Sequence, residues 1–148
     1  MYLSKKTKKR LFDVINYCSF LKEKAKKEGI LALEENLGLV ENRGLTDFEG
    51  KKVFEGRPEG YFIFELLKMI LSGMDEKIVH AAVEYAVLET GRNKRKAIII
   101  RVAGIMLEAI QSGLYPCTMM QCVTFFIGQE HRKEIEAHYW EENIAVKS

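Results

Sequence analysis

Three groups of residues in this chain have the types and spacing to do chemistry, and each can be weighed before any fold is assumed. His131, Glu134 and His138 sit three, four and seven apart near the C-terminus, so on a helix they share one side, with Glu130 close by. That set could attract a metal ion, but two histidines one turn apart with an intervening glutamate are missing, and no second ligand cluster exists elsewhere. A solvated charged face is the better account, and no metal site is expected. Cys117 and Cys122 are five apart. At ~100° per residue they stand about 140° apart around a helix, unsuited to a shared metal or disulfide. Neither has a local base or positive field to lower its pKa, so both read as small core hydrophobes. The third group is basic: Lys5, Lys6, Lys8, Lys9, Arg10, Lys22, Lys24, Lys26 and Lys27 face only Asp13 and Glu23 in the first 27 residues. Such a cluster could meet nucleic-acid phosphates or an anionic membrane surface. Glycine-rich phosphate loops, a GxSxG elbow and a set of nucleophile, base and orienting group are all absent from the sequence. The chain therefore reads as non-enzymatic, with no catalytic residue and no cofactor.

The elements that would carry these groups are helical. Leu11, Val14, Ile15, Cys18, Leu21 and Ala25 form one apolar stripe from Lys8 to Ala25. The pattern runs on through Ile30, Leu31, Leu33 and Leu37, with Gly29 as a single weak point, in one long helix or two abutting ones. Residues 38–60 carry five glycines and Pro58 among charges and read as a long glycine-rich loop, with room for a short element around residues 51–54. Helical spacing resumes at Phe62, Leu66, Leu67, Ile70 and Leu71, and Gly73 is placed to end it in a left-handed turn. Asp75 then caps a helix whose buried face is Ile78, Val79, Ala82, Val83, Ala86 and Val87, up to Gly91. Asn93 caps the next, 94–112, which is apolar on most sides and therefore central. After Gly113, Pro116 opens a last helix that continues through the polar segment 129–142. The apolar run 113–128 is too short for the ~20 residues that a membrane span needs. The expectation is an all-α single domain, 1–148, of about five helices with a basic N-terminal helix and a polar C-terminal helical tail.

Composition agrees with a packed core: 47% of residues are hydrophobic, 30% are charged, and the net charge is only +2. Three cysteines, an odd number, suit a reducing compartment, and no signal peptide is read, so the cytoplasm is expected.

Residues 22–37, KEKAKKEGILALEENL, followed by residues 66–85, LLKMILSGMDEKIVHAAVEY, and GLYPCTMM around Pro116, resemble the cytoplasmic part of the flagellar motor stator family of MotA, TolQ and ExbB. The likeness covers roughly residues 20–128 and rests on short motifs. Stator subunits have membrane helices on both sides of this segment, which the present chain lacks, so the resemblance implies a relative without a channel. It further implies a protein partner of rotor or stator type, and a place at or beside the inner membrane. In the family, charged helix residues engage the rotor protein FliG; Lys26 and Glu34 match those positions, with Lys in place of the family's Arg. Lys26, Lys27, Glu34 and Glu35 are thus the candidate partner-binding residues, and Ile30, Leu33 and Leu37 should pack beneath them. The alternative is a nucleic-acid or anionic-membrane binding protein that uses residues 5–27.

Overall fold

In a computed structural model of the chain, residues 3–38, 44–113, 116–128, 131–135 and 137 are described. Every regular element among them is helical: α1 (Lys5–Glu28), a 3-10 helix (Ile30–Asn36), α2 (Pro58–Leu71), α3 (Glu76–Glu89), α4 (Lys94–Ser112) and α5 (Pro116–Ile127). The fold is all-α, as the periodicity requires.

α4 is the shaft of the molecule. It packs against α1, α2, α3 and α5, and Val102, Ala103, Met106 and Leu107 are each fully enclosed. Ala and Gly on its surface let neighbours come close: a side chain on Gly104 would run into the γ-carbons of Val83 on α3. α1 lays Leu11, Val14, Ile15, Cys18 and Leu21 against this shaft, and Val79 and Val83 of α3 do the same from another side. One continuous core joins all five helices.

The starts and stops obey local chemistry. Ser4, Asp75 and Asn93 accept backbone N–H groups of Thr7, Lys77 and Lys96, satisfying otherwise unpaired donors at helix starts. Gly73 and Gly113 end α2 and α4 in the left-handed region that a side chain resists.

Three boundaries are settled by the structure. Of the two readings around Gly29, the abutting pair holds: at φ +92 Gly29 ends α1, and residues 30–36 follow as a 3-10 helix. Gly128, at φ +100, ends α5 after Ile127 where a continuous helix into the polar segment is expected; of the described residues beyond it, 132–135 are helical, and most of the segment 129–142 lies outside those described. Pro58 opens α2 where a loop is expected, because its missing N–H costs nothing in a first turn. The supposed loop shrinks accordingly.

Its described part, from residue 45, is ordered by hydrogen bonds. Asp47 N donates to Lys51 O, and Val53 N donates to Leu45 O, folding residues 45–53 back on themselves around an isolated bridge between Thr46 and Lys52. The Asp47 carboxylate accepts the N–H groups of Glu49 and Lys51, which fixes the turn that Gly50 closes at positive φ. Phe54 comes next at φ +59, the one non-glycine residue in that region among those described, with its ring buried.

Candidate functional site

α1 has a second face opposite its core stripe. Asp13, Asn16, Tyr17, Phe20, Glu23, Lys24, Lys27 and Glu28 recur at intervals of three and four, and all line one cleft of about 960 Å³. The facing wall is the folded-back segment 45–57, with Asp47, Phe48, Val53, Phe54 and Arg57 turned toward α1. The result is a groove along the outer side of the first helix.

Its floor is a line of rings. Phe48 lies 6.4 Å from Phe20, Phe20 lies 5.9 Å from Tyr17, and Tyr17 meets Phe54 edge-on at 5.4 Å. The Arg57 guanidinium closes the line, 5.2 Å from the Phe54 ring centre. Phe48 stands 76% exposed at the tip of the turn.

Side-chain bonds hold the wall to the helix. The Tyr17 hydroxyl donates to Thr46 O at 2.9 Å, and burial pushes its pKa far up, so it stays protonated. Asn36, itself buried, donates from Nδ2 to Thr46 O at 3.0 Å and accepts Lys24 Nζ at 2.8 Å. Below the groove, Glu59 is 1% exposed and receives both Arg10, at 2.6 Å, and Arg57, at 2.7 Å. Burial alone would raise the pKa of Glu59, but the two guanidiniums outweigh it and hold the carboxyl below its usual range. Arg57 also reaches Asp13 at 3.1 Å, which ties α1 to the start of α2. Gly60 is required by this arrangement, because a β-carbon there would press on the Phe54 side chain and lie 2.8 Å from its carbonyl oxygen.

The four charged residues singled out from the sequence are all exposed, at the end of α1 and on the 3-10 helix, with Leu33 and Leu37 buried beneath them and Ile30 half-buried. Lys27 and Glu35 line the groove; Lys26 and Glu34 do not. Glu35 pairs with Lys24 at 2.9 Å.

Several basic residues of the N-terminal helix are engaged within the chain, while Lys5, Lys6, Lys9, Lys26 and Lys27 are exposed. Lys22 is buried against α4, its amine 3.5 Å from Ala109 O near the end of that helix, where the helix dipole favours a cation. Lys8 pairs with Glu134, Lys9 with Asp13, Arg10 with Glu59 and Lys24 with Glu35. The groove face of α1 carries more acid than base.

Of the C-terminal candidates, His131 is half-buried, Glu134 is exposed and engaged by Lys8, and His138 lies outside the described residues. No group of three or more His, Cys, Asp or Glu that could hold a metal occurs among the described residues. Cys122 is half-buried rather than fully enclosed, and the side chain of Cys117 lies outside those described; the enclosed cysteine is Cys18, whose thiol burial pushes up to about 12. No helix among the described residues is long and apolar enough to cross a membrane.

A second surface departs from the sequence reading. Ile78, assigned to the buried face of its helix, is 55% exposed, because α3 turns Val79 and Val83 to the core and Ile78 lies about 100° round from Val79. With Tyr85 and Leu88, also exposed, it forms an apolar stripe on the outside of α3.

No family model, no curated protein and no solved structure matches the chain.

Proposed function

We propose that this protein is a non-enzymatic interaction module that receives a segment of another protein in the groove along α1. One observation carries the reading: Phe20 and Phe48, with Tyr17 and Phe54 behind them, line an open groove on the side of α1 that faces away from the core. Aromatic rings at a concave surface supply large contact area at low conformational cost, which is why binding hot spots favour them. The groove is about as long as the α1 stretch that lines it, ~22 Å from Asp13 to Glu28 at 1.5 Å per residue, room for three or four turns of a docked helix.

The stator resemblance would make the partner a rotor or stator component and place the protein in the cytoplasm beside the inner membrane. Exposure of Lys26 and Glu34 next to the groove supports this finer reading, since a charged rim tunes specificity and association rate. The nucleic-acid and anionic-membrane alternative is disfavoured by the ion pairs that occupy Lys8, Arg10 and Lys24.

A photo-crosslinking residue at Phe48 tests the reading against the same residue at Arg92, remote in sequence and outside the groove lining. A discrete protein adduct from position 48 and none from 92 is expected. Equal or absent labelling from both positions refutes it. Lys26→Glu and Glu34→Lys should leave stability within ~0.5 kcal/mol. If the partner is of rotor type, they weaken its capture and complementary charge reversal restores it.

A further inference from the structure

We infer that the segment this groove takes is a basic one, a Lys- or Arg-bearing stretch with aliphatic neighbours. The inference rests on the interaction-groove reading and names the chemistry of its guest. Five carboxylates line the cleft (Asp13, Glu23, Glu28, Glu35 and Asp47) against three cations, Lys24, Lys27 and Arg57. Two of those cations are already committed, Lys24 to Glu35 and Asn36, and Arg57 to Asp13 and Glu59. Of the other three carboxylates, Asp47 accepts the backbone N–H groups of Glu49 and Lys51 but keeps its charge, and Glu23 and Glu28 share the groove wall with Lys27, so the lining stays net negative and a guest bearing positive charge completes the balance.

The rings point the same way. Arg57 already rests over the Phe54 ring, showing that a guanidinium suits the inner end of the aromatic line. Phe20 and Phe48, 6.4 Å apart, form the outer end of that line, with Phe48 largely exposed. A ring face attracts cations through its quadrupole, and carboxylates beside it add to that attraction. Phosphate-bearing guests would meet the same carboxylates and be repelled. Val53 and the Phe48 ring offer apolar surface for the guest's aliphatic neighbours.

The test uses the full chain and three fluorescein-labelled 15-residue amphipathic peptides with the same leucines, carrying Lys and Arg, Ser, or Glu at the remaining positions. Fluorescence anisotropy is read at low and at high salt. The basic peptide should bind at least tenfold tighter than the other two and weaken as salt rises, because the contributing charges are exposed. Phe48→Ala and Glu23→Lys should each weaken it about tenfold, while Glu55→Lys, on the same loop but outside the groove, should not. Circular dichroism and thermal unfolding confirm that each variant folds. If the neutral or acidic peptide binds as well and Phe48→Ala still abolishes binding, the basic preference is overturned and the groove reading stands. Basic-peptide binding indifferent to Phe48→Ala and Glu23→Lys overturns the inference as non-specific attraction. Binding of none of the three overturns it too, with crosslinking at Phe48 then deciding the groove reading separately. Tighter, Phe48-dependent binding of a single-stranded RNA oligomer would likewise overturn it.

Discussion

Replacing Glu59 by Gln removes one charge and almost no volume, so the consequence can be worked from the ion pairs alone. The carboxylate is 1% exposed and takes Arg10 Nη2 at 2.6 Å and Arg57 Nε at 2.7 Å. Removing one partner of a buried pair typically costs ~3–5 kcal/mol, because the other is left uncompensated. Here Arg10 and Arg57 keep 29% and 32% side-chain exposure and Arg57 retains Asp13, so water and a second carboxylate recover part of the loss. A cost of about 2–3 kcal/mol is expected for Glu59→Gln at pH 7. In urea, with a slope near ~1.5 kcal/mol per molar, the midpoint should fall by about 1.3–2 M. Acid supplies the sharper check. A carboxyl whose folded pKa lies below its unfolded value, ~4.3, contributes stability that is full above that value and is lost as pH falls through the folded pKa. The gap between wild type and variant should therefore shrink below pH 4 and close once Glu59 is protonated in both states. Urea melts at pH 7, 5, 4 and 3 measure this directly. A pH 7 loss under ~0.5 kcal/mol, or a loss of the same size at every pH, would refute the claim that charge pairing at Glu59 holds α1 to α2.

Gly104→Ala runs against helix propensity. The new methyl would gain up to ~1 kcal/mol in the helix, but it meets Val83 Cγ2 at 3.1 Å and Cγ1 closer still, so overpacking of ~1–3 kcal/mol should leave a net loss, read as a lower Tm. Tyr17→Phe should cost only about 0.5–1 kcal/mol, because Asn36 Nδ2 keeps Thr46 O satisfied at 3.0 Å; denaturant melts check this, and a loss above ~2 kcal/mol would mean that the hydroxyl supports more than this bond. Cys18, enclosed and with its pKa pushed up to about 12, should label with a thiol reagent only as fast as the chain unfolds, whereas half-buried Cys122 should react first; mass spectrometry of the labelled peptides separates the two.

Much of the helical frame is legible in the sequence because core packing imposes a period and glycine imposes stops. The stripe Leu11, Val14, Ile15, Cys18, Leu21 marks α1 as plainly in letters as in space, and Asp75 and Asn93 cap where their side chains predict. Gly29 and Gly128 are harder, since a glycine inside a periodic pattern is either tolerated or terminal, and only the packing of the residues downstream decides. Pro58 and Gly60 look like loop residues until Phe54 is seen to need the space at Gly60. The groove lies in that blind region. Half of it could have been found, because Asp13, Tyr17, Phe20 and Lys24 keep helical spacing on the face opposite the core. The other wall has no period at all: Thr46, Phe48 and Phe54 are brought to α1 by hydrogen bonds to Asn36 and Tyr17 that no local pattern announces. The exposed stripe on α3 is hidden for the opposite reason, as Ile78 extends an apolar run and only rotation about the helix axis puts it outside.

The central place of α4 sets how the molecule can open. Its amide hydrogens are shielded on most sides by α1, α2, α3 and α5, so they exchange with solvent only when the whole core comes apart. The segment 45–57 shares that core at its ends, through buried Leu45 and Phe54 and the ion pairs of Arg57, while residues 48–52 between them stand exposed. Local opening of the groove wall is thus confined to the exposed turn that carries Phe48, and the anchors on either side of it move only with the helices behind them.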